Sequence, residues 1–379
     1  MFSRPSSNSR MDLEPTNPPT PSVAKQSADD PNPTVPHRRR LRYSGKYPRR
    51  FEEKYKELDP ARDEATFRKV LASGKTPAGT HRPILVAEIL EILQLAPGSV
   101  VVDCTLGYGG HAVEILARIQ PGGRLIGLDT DPVELPKTEA RLRSGGLSSD
   151  TFSVHRSNFA GLPAILAECG LEGADAILAD LGVSSMQLDD PGRGFSLKHD
   201  GPLDMRMNPN RGQPASVWLE KIRPEQLAAL LLKNADEARA PLLAPRLAGQ
   251  RFSTTRQLAD AIRSVLPNAA PNDVEMTLRR VFQAIRIAVN DEFSALDALL
   301  RQAPACLNSG GRIVVLTFHS GEDRRVKSAF AGGIRDGTYS EISTAIIRPS
   351  AEECRSNPRS SPAKLRWARR AAPNAGEST

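Results

Sequence analysis

The chain predicts an α/β fold, a parallel sheet with helices on both faces and a helical insertion before the last strand, from three observations. Short β-branched runs alternate with helical repeats from residue 84 to residue 180. A glycine-rich turn follows the first of those runs, and strand-like sequence lapses after Asp180 and returns at Gly311.

Apolar residues at helical spacing (Ile84, Leu85, Ile89, Ile92, Leu93) predict a first helix over 84–95. Ser99–Asp103 is a buried strand ending in an acid, Val113–Ile119 is helical, and Arg124–Asp129 is a second buried strand. A helix follows at 136–143. Pro136, four residues after Pro132, moves its start from Asp131 toward Leu135. A strand at Phe152–His155, a helix at 159–168 and a strand at Ala174–Asp180 complete the alternation, which places a ligand off the carboxyl ends of the strands. Residues 190–290 read as loops and helices, Gly311–Phe318 as one more buried strand, and 355–370 as a short strand or a tail. The organisation expected is a disordered basic Pro/Ser-rich extension at 1–55, a linker at 56–80, a first sheet portion at 81–189, a helical insertion at 190–285, a second sheet portion at 286–345 and a basic segment at 346–379.

Composition narrows the class. The chain has 379 residues, 39% of them hydrophobic, and no run approaches the roughly 18 apolar residues of a membrane span, so no membrane partner is expected. Its cysteines (Cys104, Cys169, Cys306, Cys354) lack the paired short spacings of a zinc site or disulfide framework, and the first thirty residues show no apolar signal segment. Reduced thiols and a cytoplasmic home are expected. The net charge of +7 sits at the ends. Residues 1–50 hold ten basic against four acidic residues, and 355–370 hold six against none. With Tyr43 and Tyr47 set among Arg38-Arg39-Arg40 and Arg49-Arg50, this suggests a polyanionic partner held through phosphates.

Chemistry concentrates after the strands. In Asp103-Cys-Thr-Leu-Gly107-Tyr-Gly109-Gly110-His111, glycine permits close backbone approach at a helix N-terminus, and Gly107, Gly109 and Ala112 satisfy G-x-G-x-x-G/A. Asp129, at the end of the next strand, can accept from ribose hydroxyls. Together they indicate a nucleoside-bearing cofactor, either a dinucleotide or S-adenosylmethionine. Asp103 favours the second, because a carboxylate there repels a pyrophosphate and suits a cation. Asp180 ends the fourth strand facing the same cleft, where it could orient an amine nucleophile. Arg193, Phe195 and Arg206 stand in turn-rich sequence as candidates for a phosphate or a stacked base. In Arg279–Asn290 an apolar stripe (Val281, Phe282, Ile285, Val289) leaves Gln283, Arg286 and Asn290 on another face, and His319 follows the last strand beside a Ser320/Asp323 capping pattern. No Ser/His/Asp triad or metal-ligand spacing stands out.

In order along the chain, Asp103-x-Thr-x-Gly-x-Gly-Gly-His111, Asp129-x-Asp-Pro132, Asp180-Leu-Gly-Val-Ser-Ser-x-Gln-Leu-Asp-Asp190, Asp200-Gly-Pro-Leu-Asp-Met-Arg-Met207, Phe282-Gln-Ala-x-Arg-Ile287 and Phe318-His-Ser-x-Glu-Asp-Arg324 resemble the ribosomal RNA small subunit methyltransferase H, or MraW, family. The resemblance runs from His81 to about Arg370. It implies a Rossmann-like class I methyltransferase sheet with an inserted helical domain for RNA recognition, and S-adenosylmethionine-dependent methylation of N4 of a cytidine in the decoding region of 16S ribosomal RNA. The implied partners are small-subunit ribosomal RNA or the 30S particle, and a homodimer is compatible. The family's cofactor contacts fall on Gly109, Gly110, His111, Asp129, Phe159, Asp180 and Gln187, with Asp180 also the catalytic candidate. Arg193, Phe195, Arg206, Arg286 and His319 are the candidates for RNA contact. Gly321 stands where the family usually has a larger apolar residue, and Asn234-Ala-Asp-Glu237 replaces Tyr-Gly-Glu-Glu. The competing readings are an NAD(P)-dependent oxidoreductase, which fits the glycine loop, and a non-catalytic RNA-binding assembly factor, which fits the basic ends. A DNA cytosine-N4 methyltransferase would carry Asn or Asp followed by Pro-Pro where this chain has Asp180-Leu-Gly.

Overall fold

Eight elements in the first hundred described residues follow the predicted alternation. A computed structural model describes residues 83–372, and the expected extension at 1–55, the linker at 56–80 and the Arg38–Arg50 run lie outside them. The elements are α1 (Val86–Leu93), β1 (Val100–Asp103), α2 (Gly110–Ile119), β2 (Arg124–Asp129), α3 (Leu135–Arg143), β3 (Phe152–Arg156), α4 (Leu162–Glu168) and β4 (Ala174–Asp180). Pro136 sits in the first turn of α3, where its missing N–H would have no partner anyway.

Among the described residues the strands form one seven-stranded sheet in the order β3-β2-β1-β4-β5-β7-β6, with β5 at Leu307–Thr317, β6 at Tyr339–Ile342 and β7 at Lys364–Arg370. β3, β2, β1, β4 and β5 are parallel, and β7 and β6 are added antiparallel. Chain order reverses between β1 and β4, so the crevice opens beyond Asp103 and Asp180. The central strands β1, β2 and β4 are apolar over most of their length because both faces are covered. Ile115, Ile119 and Leu142 pack on one face, and Leu162, Leu296 and Leu299 on the other. Each such side chain contributes roughly 1.5–3 kcal/mol by leaving water.

The edges of the prediction shift for local reasons. β5 starts at Leu307, before the expected Gly311, because Asn308-Ser-Gly310-Gly carries no alternation, and the register against β4 slips there. The basic stretch near the C-terminus is a strand, β7, whose Leu365 and Ala368 are buried. Its Arg366 is buried too, donating to Asp323 at 2.7 Å.

Between β4 and β5 lie α5 (Ser185–Asp189), α6 (Ala215–Lys221), α7 (Pro224–Ala235), α8 (Ala240–Leu247), α9 (Thr255–Val265), α10 (Pro271–Asn290) and α11 (Glu292–Cys306). α6 to α10 enclose a core of their own containing Leu219, Leu231, Leu243, Ile262 and Ile285. The expected boundary at 285/286 falls inside α10, which runs unbroken to Asn290. The chain turns at Asp291, in the left-handed region at φ 51°, and α11 then packs against the sheet. α12 (Ser320–Arg335) follows β5, and α13 (Ala351–Ser356) precedes β7.

Candidate active site

The crevice at the strand reversal is a cavity of about 700 Å³, within the range of pockets that hold nucleoside-sized ligands. Its first wall is the turn between β1 and α2. Leu106 N–H donates to Leu128 O at 2.8 Å and Gly107 N–H to Asp129 Oδ2 at 2.8 Å, so the turn continues the hydrogen bonding of the sheet. Gly109 takes φ 76°, and a Cβ there would stand 3.1 Å from Leu142 Cδ1 on α3. The turn therefore needs glycine for both conformation and contact. α2 starts at Gly110 and aims its N-terminal N–H groups at the cavity.

Three carboxylates end β1, β2 and β4: Asp129 and Asp180 line this space, while Asp103 is buried and is not among its lining residues. Burial pushes Asp103 up to about 6, against the pull of His111 and the Thr105 amide. Burial also raises Asp129, opposed by the N–H groups of Asp131 and Gly107. Asp180 is raised to about 7, first by burial and then by Glu322. Its N–H donates to Thr105 Oγ1 at 2.6 Å, while its side-chain Oδ1 is buried without a hydrogen-bond partner. Burial lowers His111 below the usual imidazole range; its Nε2–H donates to Ile84 O at 3.0 Å and its Nδ1 faces Asp180 Oδ2 at 3.7 Å.

The opposite wall comes from α10, α11 and α12. Arg286 grips Glu292 with two bonds of 2.8 Å, a bidentate pair across the α10–α11 turn. Glu322 lies on the cavity and is 3% exposed. Burial would raise it, but hydrogen bonding and charge from His319, the Arg286 charge and the Phe318 N–H outweigh that and leave it below the usual range. The capping box at the start of α12 is His319/Glu322, in place of the expected Ser320/Asp323. Ser320 instead donates to Asp236.

Sequence comparison decides what this cavity belongs to. The model of the MraW methylase family matches residues 78–371. Ribosomal RNA small subunit methyltransferase H 2 of Alkaliphilus metalliredigens is 46% identical over 339 residues, 87% of this chain and 97% of that protein. Ribosomal RNA small subunit methyltransferase H 1 of Lachnoclostridium phytofermentans is 46% identical over 341 residues, 88% and 93% of the two chains. An rRNA methylase structure from Streptococcus thermophilus superposes with a TM-score of 0.35 at 12% identity, covering 76% of this chain and 93% of the other.

The chain belongs to the MraW methylase family. It is a methyltransferase with the Rossmann-like class I sheet, in place of an oxidoreductase or a non-catalytic factor, and its methyl donor is S-adenosylmethionine. The cavity fits that donor. A cationic sulfonium beside Asp180, whose carboxylate lies on the cavity wall and is about a quarter exposed, offsets the desolvation that raises it.

Gly109, Gly110, His111, Asp129, Phe159, Asp180 and Gln187 all border this methyltransferase's cavity, as does Arg286. Gln187 is also the N3 residue of a capping box with Ser184, and its Nε2 donates to Asp131 at 2.8 Å. Arg193, Phe195, Arg206 and His319 are not among the lining residues. Phe195 is buried in the helical core and offers no face to a base. Arg206 is locked onto Asp204 at 2.7 and 2.8 Å, and Arg193 onto Asp131 at 2.8 Å. His319 is packed between Glu322 and the ring of Phe293.

The polar face of α10 is engaged with protein. Gln283 donates to Asn234 O, and Asn290 accepts from Met207 N–H at 2.7 Å and donates to Met205 O at 2.8 Å. Gly321 is explained by its neighbour, since a Cβ there would lie 2.6 Å from Phe293 Cζ. Sequence reasoning missed Asp131, Asn290, Glu292 and Glu322 on the cavity wall. Asp131 and Glu322 lie in the quoted motifs, where a Ser320/Asp323 cap reading passed over Glu322. Nothing local marks Glu292.

Proposed function

We propose that this methyltransferase modifies N4 of a cytidine in the decoding region of small-subunit ribosomal RNA, with Asp180 as the catalytic residue. Two supports carry the reading to RNA: relatives named for that substrate share nearly half of the sequence over almost their whole length, and the basic residues of this chain suit phosphates. The observation that carries the chemistry is the Asp180 carboxylate on the cavity wall, 27% exposed and with its Oδ1 making no hydrogen bond within the protein.

S-adenosylmethionine would be held by the Gly107–His111 turn, Asp129 and Phe159, and it supplies an electrophilic methyl group. The exocyclic nitrogen of cytosine is a poor nucleophile, because its lone pair is delocalised into the ring. The Asp180 carboxylate accepts a hydrogen bond from that amine, localises the lone pair and receives the proton the nitrogen sheds as its new bond to carbon forms. An acid brought to about 7 by its surroundings suits the task near neutral pH. Thr105 fixes the Asp180 backbone and Glu322 keeps a negative charge nearby. The base must leave its stack to reach this depth, and Phe293 and Phe318 give the acceptor side of the cavity an apolar rim.

The test is nucleoside mass spectrometry of small-subunit RNA treated with the enzyme and labelled donor. N4-methylcytidine is expected, and Asp180→Asn should slow its formation roughly 10²–10⁴-fold. Full turnover by that variant would remove Asp180 from the role, and label on another base would overturn the substrate.

A further inference from the structure

One hydrogen-bonded path crosses the cavity wall from the donor side to the acceptor side. Asp131, 1% exposed, accepts Val133 N–H on Oδ1, and on Oδ2 it accepts Gln187 Nε2 and Arg193 Nη1, both at 2.8 Å. The same guanidinium reaches onward, with Nη2 donating to Met207 O at 2.8 Å and Arg206 O at 3.2 Å. Met207 is held at its other end by Asn290, whose Oδ1 accepts its N–H at 2.7 Å. Asn290 Nδ2 ties back to Met205 O and to Arg286 O.

Met205 carries φ 61°, a strained conformation for a side-chain-bearing residue, and it persists here because Arg193 O and Asn290 both bind its backbone. Asp131, Gln187, Met207 and Asn290 all line the cavity, and Arg193 is the tie behind them. An ion pair needs only one of the arginine's bonds. The other two fix the loop carrying Met207, which packs partly buried against the helical core and borders the cavity, with a polarizable, unbranched side chain able to lie against a flat ring.

We propose that Arg193 is a positioning residue that fixes Met207 as the wall against which the methyl-accepting base lies, so the acceptor half of the cavity is set from the donor half through Asp131. The inference rests on the acceptor being a nucleobase. Lysine cannot replace Arg193, because a point charge cannot span Asp131 and two carbonyls at once.

The test uses the full-length enzyme with Arg193→Lys, Met207→Ala and the double variant, read by cofactor titration calorimetry, by KM and kcat with RNA, and by amide hydrogen exchange across 203–208. Each single variant should raise KM for RNA by about tenfold to a hundredfold while cofactor affinity stays near that of the unaltered enzyme. The double variant should be no worse than the poorer single. Arg193→Lys should speed exchange at 205–207. Equal losses of cofactor and RNA binding, losses that multiply in the double variant, or unchanged exchange would each overturn the role. Met207→Ala keeps Arg193 in place and covers the case in which Arg193→Lys misfolds. If the unaltered enzyme methylates another base, the proposed substrate falls and the same comparison is read on that base. Hydrogen exchange needs no RNA and decides on the loop in either case.

Discussion

The two walls of the cavity are built differently. On the donor wall, side chains bind backbone close by in sequence: Asp103 accepts the Thr105 N–H, Asp129 the Asp131 N–H, and Asp131 those of Val133 and Glu134. On the acceptor side, partners are remote: Asn290 on the wall holds Met205 and Met207, and among the helices outside the lining Asp236 holds Ser320 and Arg324 and Asn234 binds Ala284 O. The first wall is largely turn chemistry at strand ends, tied across the sheet by Asp129 to Gly107 and by Asp131 to Gln187 and Arg193. The second exists only once α7, α10 and α12 have assembled, so its integrity depends on tertiary ion pairs.

That difference predicts unequal damage. Glu292→Gln leaves the Arg286 guanidinium, 17% exposed, without its bidentate partner on the acceptor wall. Breaking such a pair should cost about 3 kcal/mol in urea unfolding. Cofactor affinity should stay near that of the unaltered enzyme, because the donor wall does not use the pair. A joint loss of stability and cofactor binding would show that the walls are not separable.

The donor wall can be probed by backbone conformation. Gly109→Ala forces a Cβ into the left-handed region and against Leu142, while Gly146→Ala meets the same kind of φ, +83°, with nothing within 4 Å. Each should lose about 1–2 kcal/mol from strain alone. Only Gly109→Ala should also weaken cofactor binding, measured by calorimetry. Equal cofactor affinities in the two variants would mean that the turn does not contact the donor.

The same division decides what could be read from the sequence. β1, β2 and β4 were legible because strands buried on both faces read as apolar runs, and the donor turn because glycines and a following acid report local geometry. Gln187 and Asp180 could be placed from motifs. Phe195 and Arg206 were misread because a turn-rich segment does not reveal whether its aromatic or cation faces solvent, a core or a partner such as Asp204. The face of α10 was legible as polar, yet which loop it holds depends on residues more than eighty positions away. β7 was obscured because its basic residues interrupt the apolar pattern, Arg366 being neutralised inside by Asp323.

The clustered donor-wall acids predict a pH signature. Asp180 rises from 3.8 to about 7 and Asp103 from 3.8 to about 6 on folding, both chiefly through burial. On these two acids the folded protein without cofactor holds protons that the unfolded chain releases, so their contribution to stability should fall as pH rises from about 4 to about 7, read as the difference between the unaltered protein and Asp180→Asn. Binding of a cationic donor should run the other way, strengthening as these acids ionise, by up to roughly tenfold between pH 6 and pH 8. S-adenosylhomocysteine, with a neutral sulfur, should show a shallower dependence. Identical profiles for the two ligands in calorimetry would place the acids away from the sulfonium.

The smallest effect is expected at an exposed contact between the helical layer and α12, outside the cavity lining. Asp236 ends α7 at φ 51° and meets Arg324 of α12 with two bonds of 3.0 Å, but the two side chains are 49% and 57% exposed. Water and salt screen such a pair, so Asp236→Asn should cost only about 0.5 kcal/mol, and asparagine tolerates the left-handed conformation that the cap requires. The loss should shrink in high salt. A salt-insensitive loss as large as that of Glu292→Gln would mean that the contact between helical layer and sheet is carried at the rim, leaving the buried Arg286–Glu292 pair a smaller share of the work than its burial implies.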